Sequence, residues 1–227
     1  MNIFIGKNSP AIISYKTMRR LIGILGLALP IIAIVWTLIN NCNGLFESIS
    51  AYYHSAMRDV FVGILCAVSL FLFSYHGYGI IDFVIYKIIG ISALGIALSP
   101  AQIIFTKNIC LNYVDPGKFS NTIHVISAAL FFLLLSFVSF FLFTKTYSDD
   151  KKILITQKKK QRNLVYRICG AIIFLSLILL GILGMTSRES EIFKIDPIFW
   201  LETIALFAFS ISWLIKGEVM LKDVVND

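Results

Sequence analysis

The sequence predicts an all-α, polytopic transmembrane helix bundle with six spans and both termini in the cytoplasm. Two observations carry this. Only 15% of the 227 residues are charged, where soluble domains average about a quarter. Hydrophobic residues make up 58% of the chain and the mean hydropathy is +0.83, so a soluble domain of this size would lack polar side chains to cover its exterior. An ordinary cytosolic enzyme, a disordered chain and a secreted disulfide scaffold are thereby excluded.

The apolar residues lie in long runs rather than on one helical stripe. Runs free of Asp, Glu, Lys and Arg cover 21–46, 60–81, 88–106, 119–144 and 168–187. A sixth, 197–215, is broken only by Glu202. A span needs roughly 20 apolar residues, which places the six at about 18–40, 59–78, 82–106, 121–144, 165–186 and 197–215, all in one domain covering 1–227. The break between the second and third spans is short. β-Barrel strands would alternate polar and apolar residues over about ten positions, and no such alternation is present. No internal repeat is evident, which speaks against an inverted-repeat transporter.

Orientation follows from the cations. An inside N-terminus puts 15 Lys and Arg residues inside and 5 (Arg58, Lys107, Lys118, Arg188 and Lys194) outside, while the acids divide 6 to 7. The positive-inside rule then places both termini in the cytoplasm. The pI of about 9.2 is read as topology with attraction to anionic lipid at the cytoplasmic face, and it calls for no nucleic acid. The basic run Lys158, Lys159, Lys160 and Arg162 is expected in the longest cytoplasmic loop. Residues 1–17 read as a short cytoplasmic or interfacial lead-in, without a cleaved signal peptide.

Cys66 and Cys169 fall within apolar spans and read as packing residues. Cys42 and Cys110 both fall on the outer side, where oxidation is permitted, which allows a disulfide tying the first outer loop to the third helix. No CxxC pair exists, and no Walker loop, GxGxxG, HExxH or GxSxG motif. Gly23, Gly26, Gly170, Gly181 and Gly184 are expected at close helix contacts. A homo-oligomer is compatible with a bundle of this size.

Ionisable groups in or near a bilayer are costly, and each raises a functional question. They converge on the outer side. The first outer loop reads Glu47-Ser-Ile-Ser-Ala-Tyr-Tyr-His54-Ser-Ala-Met-Arg58-Asp59, helix three ends near Ser99, Pro100 and Gln102, and helix four opens with Asn121 and His124. Glu202 lies about one turn inside helix six, beside Phe199 and Trp200. Asp59 suits a helix N-terminus, Tyr52 and Tyr53 suit an interfacial belt, and Glu202 suits an ion pair with Arg58 or Arg188. His76 is expected at the opposite end. The candidate ligand-binding set is Ser50, Tyr53, His54, Arg58, Asp59, His124 and Glu202, for a lipid headgroup, a small molecule or an ion. Two further readings share these residues. In one, His54, His124 and a carboxylate, Glu202 or Asp59, hold a catalytic zinc with its open position. In the other, Glu202 is a proton- or cation-coupling carboxylate, with a path toward Tyr75, His76 and Asp82.

Two resemblances add expectations. The strings Ser48-Ile-Ser-Ala-Tyr-Tyr53, Arg58-Asp-Val-Phe-Val-Gly63, then Tyr75, Gly77-Tyr78 and Asp82, resemble a group of uncharacterised bacterial multi-pass membrane proteins. Ala93 to Pro100, Ile123 to Phe132, Phe199 to Glu202 and Ser212 to Gly217 fit the same pattern. That resemblance implies six helices in the bacterial inner membrane and carries no activity. Ser50-x-x-x-His54 at an outer helix end, with a downstream Asp, is similar to part of the alkaline ceramidase and adiponectin-receptor superfamily. It implies a zinc site for hydrolysis of lipid amides or esters within the membrane. Only Ser50 and His54 match; the late His-x-x-x-His pair is absent, since Ala128 follows His124, and so is the seventh helix.

Overall fold

A backbone placed in hydrocarbon must satisfy its own N–H and C=O groups, which helices do. The computed structural model describes residues 14–75, 77, 79–103, 108–145, 157–185 and 196–220. They form six long helices: α1 (Tyr15–Ile39), α2 (Arg58–Ser74), α3 (Ile80–Leu98), α4 (Gly117–Phe137), α5 (Gln157–Met185) and α6 (Pro197–Lys216). A 3-10 turn, Ser50–His54, precedes α2, and α4 runs on into a π-helical turn, Val138–Leu142. No strand occurs among the described residues.

Five of these helices are long and apolar enough to cross a membrane: α1, α3, α4 with its π turn, α5 and α6. Helix α2 has 17 residues, about 25 Å at about 1.5 Å each, less than the roughly 30 Å of a hydrocarbon core. The expected lead-in is described only from Ser14; residues 1–13, His76 and Arg188 lie outside the described residues.

Local chemistry explains the boundaries. Ser14 caps α1, its hydroxyl accepting from Thr17 N at 3.2 Å, and Pro197 occupies the first turn of α6, where its missing N–H costs nothing. Between α2 and α3 the chain turns through Gly77 at φ +64°, where a Cβ would lie 2.5 Å from Asp82 Cβ. Only glycine fits there. The basic run expected in a loop is instead the first turns of α5. Lys, Gln and Arg are strong helix formers, so the helix extends past the end of its apolar stretch.

Each helix packs on its neighbours in the chain, and α6 returns to α1, which closes a ring. With no hydrophobic drive between helices in lipid, close approach and dispersion hold such a ring together. Three of the glycines sit at these contacts: a Cβ on Gly23 would lie 2.8 Å from Leu214 Cγ, one on Gly26 2.5 Å from Phe209, and one on Gly170 2.9 Å from Phe140 N. Gly181 and Gly184 do not, for nothing lies within 4 Å of a Cβ built there. Ile22, Leu29, Leu65, Val68, Ile89, Phe131, Leu135, Ile173, Leu206 and Phe209 are buried in this packing, together with Ser69, Ser92, Ser136, Ser139 and Ser212.

Candidate functional site

Two polar constellations stand at the two ends of the bundle. One end carries a disulfide. Cys42 and Cys110 are joined, with Cα atoms 5.6 Å apart, across 68 residues of sequence. This bond holds the segment after α1 against the segment after α3. Asn112 N donates to His54 O at 2.7 Å, and Asn108 Nδ2 to Gly44 O at 2.8 Å, which extends the same junction.

The 3-10 turn is anchored from below by Tyr52, which is fully buried. Its ring stacks on Phe46 with centroids 4.3 Å apart, and its hydroxyl meets Thr37 Oγ1 at 2.5 Å. The interfacial-belt expectation is corrected for Tyr52, because the ring packs inward onto α1. Tyr53 is half-buried, and the Arg58 guanidinium lies 4.8 Å from its ring centroid.

Each ionisable residue expected here has a position. His124 is buried; its Nδ1 donates to Ser99 O at 2.7 Å and its Nε2 lies 3.1 Å from Ser50 Oγ. His54 Nε2 donates to Ala101 O at 2.8 Å, and its ring packs edge-on against Tyr113 at 4.9 Å. Glu202 Oε2 accepts from Ile49 N at 2.6 Å. The side chain thus holds the start of the 3-10 turn. Asp59 is exposed in the first turn of α2, where a negative charge suits the helix dipole.

The structure therefore brings Ser50 and His124 into contact, with Glu202 bonded to the residue before Ser50. It sets Tyr53, His54 and Arg58 together along a groove of about 650 Å³, between the 3-10 turn and Pro100, Cys110, Asn112 and Val114. Asn112 and Asp115 line the opposite wall. The Gln102 amide and Gly117 N–H donate to the Asp115 carboxylate and hold its pKa below the usual carboxylate range. Asp59 does not line this groove among the described residues.

The zinc reading finds no support in the structure. Among the described residues no group of three or more His, Cys, Asp or Glu side chains is placed to hold a metal ion. His124 has both ring nitrogens in hydrogen bonds, His54 gives its Nε2 to a carbonyl, and Glu202 turns toward a backbone N–H. These groups hold loops in place instead of converging on a point.

The opposite end holds a constellation whose cations the sequence presented only as topology. Arg19 is buried; its Nε and Nη2 donate to Tyr75 Oη at 3.0 and 2.5 Å, and its Nη1 to Lys216 O at 3.3 Å. Arg20 Nε donates to Gly217 O at 2.7 Å. Two cations thus meet the last carbonyls of α6, at the negative end of its dipole. Lys145 Nζ pairs with the buried Asp82 at 3.2 Å. Tyr75, Tyr86, Phe143 and Phe209 surround the buried Trp213 with centroids 5.2 to 6.0 Å away. A signal did exist: Arg19 lies inside the first turns of an apolar helix, where a cation needs acceptors. Which acceptors they are depends on α6 and the α2–α3 turn. No family model, curated protein or solved structure matches this chain.

Proposed function

We propose that this chain is a six-span integral membrane protein of a bacterial inner membrane, with both termini cytoplasmic, whose outward groove binds a lipid headgroup or another small anionic molecule. The observation that carries the binding reading is the groove itself. It sets a cation, Arg58, beside the aromatic faces of Tyr53 and His54, with the Asn112 amide and the Asp115 carboxylate across from them. A headgroup phosphate would take the guanidinium, and hydroxyl donors of the same headgroup would meet the Asp115 carboxylate, which only accepts.

Two independent features support the orientation. Lys16, Arg19, Arg20, Lys145, Lys158, Lys159, Lys160, Arg162 and Lys216 gather at one end of the helices, which the positive-inside rule assigns to the cytoplasm and which would attract anionic lipid. The disulfide is at the other end, and disulfides persist in extracytoplasmic compartments. The sixth span is supported by the contacts of α2. Arg19 near the start of α1 meets Tyr75 just past α2, and Thr37 near the end of α1 meets Tyr52 just before it. Helix α2 thus runs the height of α1, with the 3-10 turn completing it. The transport reading is less favoured, because its coupling carboxylate, Glu202, accepts from Ile49 N at 2.6 Å and so holds the 3-10 turn.

Orientation is tested on intact cells. After mild reduction a membrane-impermeant maleimide should label Cys42 and Cys110 from outside; labelling only after the cells are broken would overturn the topology. Binding is tested by native mass spectrometry of the protein carried from vesicles with and without phosphatidylglycerol. Arg58→Ala should weaken retention of that lipid about tenfold, the loss of one charge-assisted hydrogen bond of about 1.5 kcal/mol. Unchanged retention would remove the groove reading.

A further inference from the structure

We propose that Ser50 and His124 form a nucleophile–base pair for acyl transfer from a lipid ester at the disulfide end of the bundle. This inference does not depend on the groove reading. Ser50 Oγ lies 3.1 Å from His124 Nε2, and His124 Nδ1 lies 2.7 Å from Ser99 O. A carbonyl only accepts, so Nδ1 carries the ring proton and Nε2 turns its lone pair to the serine hydroxyl. Nucleophile, base and an acceptor orienting the base is the arrangement that activates a hydroxyl. Here a backbone carbonyl fills the third role.

The surroundings hold both partners still. The His124 ring is 6% exposed, fixed in the second turn of α4. Ser50 is half-buried and opens the 3-10 turn. Its neighbours are pinned on both sides: Ile49 N to Glu202 Oε2 at 2.6 Å, and Ala51 N to Ser48 Oγ at 3.0 Å. Pre-set geometry of this kind lets a weak nucleophile react. Glu202 is therefore a positioning residue, acting through Ile49.

The substrate class follows from the setting. The pair lies at one end of a bundle of helices long and apolar enough to cross a membrane, at the level where ester linkages of lipids lie. Trp200 near the start of α6 suits that interfacial depth. In the step, the Ser50 Oγ–H proton passes to His124 Nε2 as Oγ bonds to the ester carbonyl carbon. The ester C–O bond breaks, and the departing alcohol takes the proton from His124. Water then attacks the acyl-serine with His124 again as base, which restores Ser50 and releases a carboxylic acid. One ester and one water give one acid and one alcohol.

The test uses the full-length protein in detergent micelles with an alkyl fluorophosphonate probe. A covalent adduct on the peptide containing Ser50 is expected, absent in Ser50→Ala and formed at least about a hundredfold more slowly in His124→Gln, the lower end of the usual contribution of a general base. A merely structural hydrogen bond would move the thermal midpoint without creating any adduct. No adduct on wild type, under conditions that label a known serine hydrolase, overturns the proposal. So does equal labelling in a folded His124→Gln variant. Should that variant fail to fold, Ser50→Cys decides: its thiol beside His124 should react with iodoacetamide about tenfold faster than that of Ala56→Cys on the same loop. Equal rates overturn the pairing.

Discussion

Replacing Trp213 by alanine is expected to lower stability by about 3–5 kcal/mol, the usual cost of emptying a large aromatic site, read as a fall in the thermal midpoint in micelles. Trp213 has no exposed surface and sits among Tyr75, Tyr86, Phe143 and Phe209. In lipid, stability rests on dispersion between touching atoms, which a void forfeits, more than on surface removed from water. The same ring cluster adjoins the Arg19–Tyr75 bond and the last turn of α6, so its loss also loosens the α1–α6 seam. Trp213→Phe should cost much less. The indole Nε1 has no acceptor among the described residues, and phenylalanine removes that buried donor while keeping an aromatic ring. Equal midpoints for wild type and Trp213→Ala would mean the cluster is not packed as described.

Gly170→Val should produce the second large effect, about 2–4 kcal/mol, by forcing α4 and α5 apart. A Cβ at 170 would stand 2.9 Å from Phe140 N and 3.0 Å from Ser136 O. Those are backbone atoms, which cannot rotate aside as a side chain does, and overpacking of this kind costs about 1–3 kcal/mol. The shift would also strain the bond from Ser136 Oγ to Gly170 O, 2.8 Å long and buried, worth about 1 kcal/mol. Gly181→Val is the control. Nothing lies within 4 Å of its Cβ, so that variant should melt close to wild type. A Gly170→Val midpoint equal to the control would sink the close-contact account.

The contrast between these two glycines shows how far a sequence carries. Both lie in one apolar run and look alike there; only the course of α4 decides which faces a neighbour. The same holds at the disulfide end. Ser50, His54, His124 and Glu202 were legible as unusual residues at one level of the bundle, because each is polar at the edge of an apolar stretch. Their partners were not. Ser99 O, Ala101 O and Ile49 N are backbone groups, and backbone groups are identical in every sequence. The zinc expectation finds no support for that reason: His54, His124 and Glu202 are residue types suited to a metal, but each meets a backbone partner.

Arg19 illustrates the other side of this. A count of cations assigns it to a membrane face and stops there. The folded chain gives it Tyr75 and the end of α6, from 56 and 197 residues away. By itself the sequence determined that the chain is all helical, where the apolar stretches run, and which end of the bundle collects positive charge. These are sums over neighbouring residues, since the cost of placing a side chain in hydrocarbon is nearly independent of the rest of the chain. Only the tertiary structure decided that α6 closes on α1, that the basic run belongs to α5, and that Ser50 meets His124. Those outcomes turn on distances between segments far apart in sequence, set by how helix surfaces fit, and no local property of the residues encodes them.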